Sequence, residues 1–127
     1  MFNIYETNKK NYAAGLSIGA RGQSVTQLTN RSTGVTLNAL AGAITTNNAS
    51  LAAEASAVFV VTNSMVAVGD VVLCSQRSGR IALNTQVEVT GVANGSFSIT
   101  VVNNNVAAGI AETGAIIIDF VVIKAPF

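Results

Sequence analysis

The sequence predicts an all-β protein, a jelly-roll-like antiparallel β-sandwich of about eight strands. An extended N-terminal arm covers residues 1–23 and a single domain covers residues 24–127. Three observations carry this reading. From Ser24 onward, short alternating or continuous apolar runs recur between turn signals, the pattern of strands rather than of helices. Helix signal is nearly absent: Ala49 to Ala55 offers one turn of helix formers, and a helix so short is marginal, so a loop is the better reading. The last strand, Ala115 to Lys124, is the longest apolar run and is apolar on both faces, with Ile116, Ile118, Phe120 and Val122 on one and Ile117, Asp119, Val121 and Ile123 on the other. A sheet with one wet face shows a polar residue at every second position, so both faces of this strand are expected to be covered. In a chain of this size the expected cover is a second copy of the same protein.

The arm comes first and differs from the rest in kind. It holds both tyrosines and the adjacent lysines Lys9 and Lys10, and it ends in Gly15-Leu16-Ser17-Ile18-Gly19-Ala20-Arg21-Gly22. Three glycines in eight residues lose too much backbone entropy to make a regular element there. Phe2, Ile4, Tyr5, Tyr12, Leu16 and Ile18 suit an extended segment that orders on a partner surface. The alternative is a short strand folded back on its own domain.

The body then alternates strands and turns. Ser24 to Thr29 is an imperfect strand, and Asn30 to Gly34 turns the chain. Val35 to Leu37 and Ala43 to Thr46 flank Asn38 to Gly42 as a short predicted hairpin. Ser56 to Thr62 sets Val58 and Val60 against Ala57, Phe59 and Val61. Met65 to Val68 leads to a Gly69-Asp70 turn, Val71 to Gln76 follows, and Arg77-Ser78-Gly79-Arg80 turns again. Gln86 to Val92 and Ser96 to Val102 alternate most cleanly and are joined across Asn94-Gly95, a hairpin signal. A loop from Asn103 to Gly114 delivers the last strand, and Pro126 ends it.

Composition narrows the function classes. The chain is 50% hydrophobic and 10% charged, against a usual charged share of about 25%. A surface of Ser, Thr, Asn and Ala loses little on desolvation and suits burial in large protein contacts. The net charge of +1 hides an asymmetry: residues 1–31 hold Lys9, Lys10, Arg21 and Arg31 against Glu6, while the remainder is slightly acidic. That describes a basic tail suited to an acidic protein surface. There is no dense basic run and no basic-aromatic interleaving, so direct nucleic-acid binding is not expected. No stretch reaches the roughly 18 apolar residues of a membrane span, and the N-terminus lacks the pattern of a signal peptide. Synthesis in the cytoplasm without membrane entry is therefore expected.

Chemistry is not expected either. Histidine is absent, and Lys9, Lys10 and Lys124 all lie near the ends, which leaves no base for a nucleophilic triad. Cys74 is alone in an apolar strand and is read as a small buried hydrophobe. Glu88, Asp70 and Asp119 show no spacing that suggests paired catalytic carboxylates. Asn103 to Asn105 near Glu112 is a loop rather than a calcium site, and no glycine turn leads into a helix with a lysine. No enzyme, cofactor or metal is predicted. Asp119 requires a partner if buried, with Arg77, Arg80 or Arg31 as candidates; otherwise it borders a subunit contact or marks an exposed point of an edge strand.

Four segments in order carry a resemblance: Ser32-Thr33-Gly34-Val35-Thr36-Leu37-Asn38, Gly42-Ala43-Ile44-Thr45-Thr46, Gly95-Ser96-Phe97-Ser98-Ile99-Thr100 and Ile118-Asp119-Phe120-Val121-Val122-Ile123-Lys124. Over about residues 24–124 the chain resembles a β-domain of tailed-bacteriophage virion proteins, found both in capsid decoration (cement) proteins and in larger tail-associated proteins. The resemblance implies a structural protein of the virion, a homotrimer with a jelly-roll-like body on the capsid exterior where major capsid protein subunits meet. A chain that starts at Met1, with a short arm before the domain and little after it, fits a stand-alone decoration protein. The residues expected to dock on the capsid are Phe2, Ile4, Tyr5, Lys9, Lys10 and Tyr12, and those expected in the trimer contact are Phe59, Ile117, Val121 and Ile123. The alternative is a tail-associated or receptor-binding module that recognises glycans, although Trp is absent and both tyrosines lie in the arm.

Overall fold

A computed structural model describes residues 23–106 and 109–125. The described residues form eight strands and no helix: β1 (Ser24–Thr26), β2 (Val35–Thr36), β3 (Ala41–Thr45), β4 (Ser56–Thr62), β5 (Val71–Ser78), β6 (Thr85–Ala93), β7 (Ser96–Asn103) and β8 (Ile117–Ile123). They make two four-stranded sheets, sheet A in the order β1-β3-β8-β5 and sheet B in the order β2-β4-β7-β6. The all-β sandwich expected from the sequence is what forms.

The pairing differs from a wholly antiparallel jelly roll. The first six strands alternate between the sheets, so strands two apart in sequence return to the same sheet running the same way. As a result β1 pairs with β3, and β2 with β4, in parallel, and both sheets are mixed. The same alternation removes the hairpin expected over Val35 to Thr46, because β2 lies in sheet B and β3 in sheet A. The tight hairpin that does form joins β6 to β7 through Asn94-Gly95, where Gly95 takes φ +81°. A residue with a Cβ is strained there, which is why the turn uses glycine.

Alternation puts one residue in two of each strand into the space between the sheets. Ile44, Val72, Ile118, Phe120 and Val122 from sheet A meet Ala57, Phe59, Val61, Phe97, Ile99 and Val101 from sheet B. The Phe97 and Phe120 rings cross this interface with centroids 5.1 Å apart and planes tilted by 57°, within the range of favourable edge-to-face contact. The two sheets approach one another closely at β5 and β6.

The strand registers give the sandwich two distinct ends. At one, the loops 37–40 and 63–70 and the β6–β7 turn gather with residue 23 and the residues after β8. Asn63 ties this end together: its side chain donates to the Ala39 carbonyl and accepts from the Ala39 and Met65 amides, while its own amide donates to Gly95. At the other end lie the loops 27–34, 46–55 and 79–84 and the described residues 104–106 and 109–116.

Candidate functional site

The outer face of sheet A is the surface that the last strand singles out. Ile117, Asp119, Val121 and Ile123 of β8 point away from the core, as the sequence pattern requires. The register places Val71 beside Ile123, and Leu73 beside Val121 with Ala41 on its other side. Val71, Leu73 and Ile123 are 52%, 53% and 47% exposed. Together with Val121 and Ala41 they form a contiguous apolar half-face. Phe59 is not part of it: its side chain is 1% exposed and lies between the sheets, so the trimer contact expected there is corrected to a core role. The outer face of sheet B contrasts in chemistry, since Val58 and Val60 there are interspersed with Ser56, Gln86, Glu88, Ser98 and Thr100.

The other half of the sheet A face is polar. Asp119 sits between Ala43 and Ser75 and is gripped by Arg77, whose Nε donates to Oδ2 at 2.9 Å and whose Nη2 donates to Oδ1 at 2.5 Å. Of the three cations expected for Asp119, the structure selects Arg77. The β-bulge between Gln76 and Ser78 lets the guanidinium reach diagonally across to β8. Hydrogen bonding to Asp119 and its charge raise the Arg77 pKa. At the sheet's other end, Lys124 donates to Asp70 Oδ2 and to the Met65 carbonyl. The Ala125 amide, the Lys124 ammonium and the Ala67 amide hold the Asp70 carboxyl well below its usual range, at about 2.

A second feature had no signal in the sequence. Arg31, counted there with the basic arm, is 4% exposed and belongs to the body. Its guanidinium donates to the carbonyls of Ala49, Glu112 and Gly114 and to Thr46 Oγ1. Glu112, also fully buried, receives the Ile81 and Gly114 amides on Oε2, each at 2.8 Å, and the Ala82 amide on Oε1 at 3.1 Å. Burial pushes the Glu112 carboxyl up, but the Thr85 hydroxyl beside it and these three amides outweigh burial and bring it below its ordinary value. The Thr85 hydroxyl lies outside full hydrogen-bond geometry, so the amides are the donors that fix the carboxylate. Burial lowers the Arg31 pKa while the Glu112 charge raises it. The pair thus stitches the four segments at this end together. Above them stand Leu28, Ile81, Leu83, Val106 and Ile110, all exposed.

The titratable groups are tuned for structure. Asp70 and Glu112 are held ionised, and burial raises the Cys74 thiol, which keeps it protonated at neutral pH. Asn103 is fully buried, and its amide donates to the Leu51 and Ile110 carbonyls; it works as an internal strut of the loop. The expected docking residues Phe2, Ile4, Tyr5, Lys9, Lys10 and Tyr12 lie outside the described residues. Comparison with protein families, curated proteins and solved structures finds no match to this chain.

Proposed function

We propose that the protein is a structural component of a tailed-phage virion, a decoration protein that binds the capsid exterior as a homotrimer and stabilises the shell. The observation that supports this most is the outer face of sheet A. A folded sandwich that leaves Val71, Leu73 and Ile123 about half exposed around the partly buried Val121 on one sheet presents a surface suited to another protein. Ile117, Val121 and Ile123 are then trimer-contact residues, joined by Val71 and Leu73. The sparse charge fits the same use, since neutral polar groups desolvate cheaply at subunit contacts. Stabilisation of the shell follows from apolar area buried across joints between major capsid protein subunits. Three arms on one trimer multiply a weak single contact through effective concentration.

The glycan-binding alternative draws less support. Sugar-binding grooves use exposed aromatic rings, and among the described residues Phe59, Phe97 and Phe120 all lie in the core. A glycan array is expected to be blank.

The test uses heads of the phage that encodes the chain, assembled without it. Purified protein should co-sediment with these heads to a saturating copy number and raise the temperature at which they release DNA. Failure to co-sediment refutes the decoration reading.

A further inference from the structure

We propose that residues 13–22 of one copy cross the apolar half of the sheet A face in the next copy, so that exchanged arms close the trimer. The inference rests on the trimer reading above and names what covers the exposed face.

Area comes first. β1, β3, β8 and β5 hold three, five, seven and eight residues, which at about 3.3 Å per residue and about 4.8 Å per strand give a flat face of roughly 360 Å². A standard stable contact uses about 800 Å² on each partner. One sheet face against another therefore falls short. Ten extended residues reach about 33 Å and, at the roughly 10 Å depth of a packed layer, add about 300 Å².

The point where the arm joins the body fixes the next step. The Ala43 amide donates to the Gln23 carbonyl at 3.1 Å, so the chain is already against the edge of β3 one residue before β1. In the parallel register of Ser24 with Ala43, the apolar row of Ala41, Val121 and Leu73 lies two residues back from the level of Ser24. Two residues further back lies the level of Val71 and Ile123, the last row of the sheet. β1 thus enters from the end of the sheet that carries the apolar rows, the end from which an exchanged arm would reach a neighbour's face.

The sequence of the segment suits the face. Leu16 and Ile18 lie two apart and, in extended backbone, project to one side about 6.6 Å from each other. They match the two-residue spacing of Leu73 and Val71 on β5. Gly15, Ser17, Gly19 and Gly22 keep the segment thin enough to lie flat. Each copy gives one arm and receives one, a heterologous contact that closes as a ring of three. Residues 1–12, with both lysines and both tyrosines, stay available to the capsid.

The experiment compares the full chain with full-length Leu16→Asp/Ile18→Asp by light scattering, and cross-links a Leu16→Cys/Leu73→Cys/Cys74→Ser variant under mild oxidation. The expected result is a wild-type mass of three times 13.0 kDa, a threefold loss of mass in the Asp variant with an unchanged circular-dichroism spectrum, and reducible species at two and three chain masses. A trimer that persists in the Asp variant overturns the arm exchange and leaves the trimer standing. A disulfide closed within a single chain overturns exchange in favour of a self-covering arm. A wild-type monomer overturns the exchange and the assembly reading together.

Discussion

Glu112→Gln is the sharpest test of how the loops are held. The substitution keeps size and shape but removes the charge. In the native site Oε2 accepts two amides and Oε1 accepts one. A glutamine that keeps its oxygen at the Oε2 position turns its own N–H₂ against the Ala82 amide, donor against donor. Its neutrality also leaves the buried Arg31 guanidinium without its nearby counter-charge. Leaving a buried donor without its acceptor costs about 1–3 kcal/mol, against a total stability of about 5–15 kcal/mol for a domain. At about 4 °C per kcal/mol for a body of this size, the melting temperature should fall by about 4–12 °C at pH 7. Thermal melts followed by circular dichroism give the number, and Glu88→Gln on the exposed face of β6 is the control, expected within about 0.5 kcal/mol of wild type. Adding Arg31→Met to Glu112→Gln removes the unbalanced cation, so the double variant should lose less than the two single losses combined. A Glu112→Gln protein within about 0.5 kcal/mol of wild type would show that the carboxylate does not hold the loops.

Other perturbations follow from the same geometry. The Asp70 carboxyl is depressed from 3.8 to about 2, so its contribution is full above about pH 4 and disappears as the pH falls from there toward 2. Glu112 shifts in the same direction. Urea midpoints should therefore be flat from pH 5 to 8, where no histidine titrates, and drop in acid. Asp70→Asn should lower the plateau and flatten the acid limb, and an unchanged limb would exclude Asp70 as its cause. Gly114→Ala should destabilise by about 1–3 kcal/mol or more, because an added Cβ would overlap the Gly79 carbonyl oxygen; an unshifted urea midpoint would mean that the two segments part freely. Phe97→Ala, at a ring wedged against Phe120, should cost about 3–5 kcal/mol, and a smaller loss in the same assay would mean that the core collapses into the space.

The strands were legible because their signal is local. Alternation and turn residues placed all eight to within a few positions, and the Asn-Gly turn marked the tight hairpin. Sheet membership was not, because it depends on which side of the core a strand enters after a loop. Asn38 to Gly42 is an adequate hairpin turn in isolation, but the chain instead crosses the core between β2 and β3. Phe59 shows the same limit at one residue: two apolar faces on β4 say that both sides are covered or hydrophobic, not which side is the interior. Here Val58 and Val60 face outward and Phe59 faces in. The Arg31–Glu112 pair was invisible because its members are 81 positions apart in sequence and lie in loops with no periodicity. Arg31 among neutral turn residues looked like a surface charge.

Arg31's location changes the electrostatics of the whole molecule. Without it, the arm before β1 holds three cations against one anion. Within the body, Arg77 pairs with Asp119, Lys124 with Asp70, and Arg31 balances Glu112. Among the described residues only Arg80, Glu54 and Glu88 then lack an oppositely charged partner. A surface so poor in free charge has little long-range field for salt to screen, so contact through the sheet A face should depend on apolar burial and persist at high ionic strength. The adjacent Lys9 and Lys10 lie outside the segment proposed to exchange, which carries Arg21 as its one charge. Salt should therefore weaken the proposed docking of the arm on an acidic surface while leaving the proposed trimer intact. A trimer that dissociates between 0.1 and 1 M NaCl would contradict that division, because only an interface held by charge weakens along with its screening.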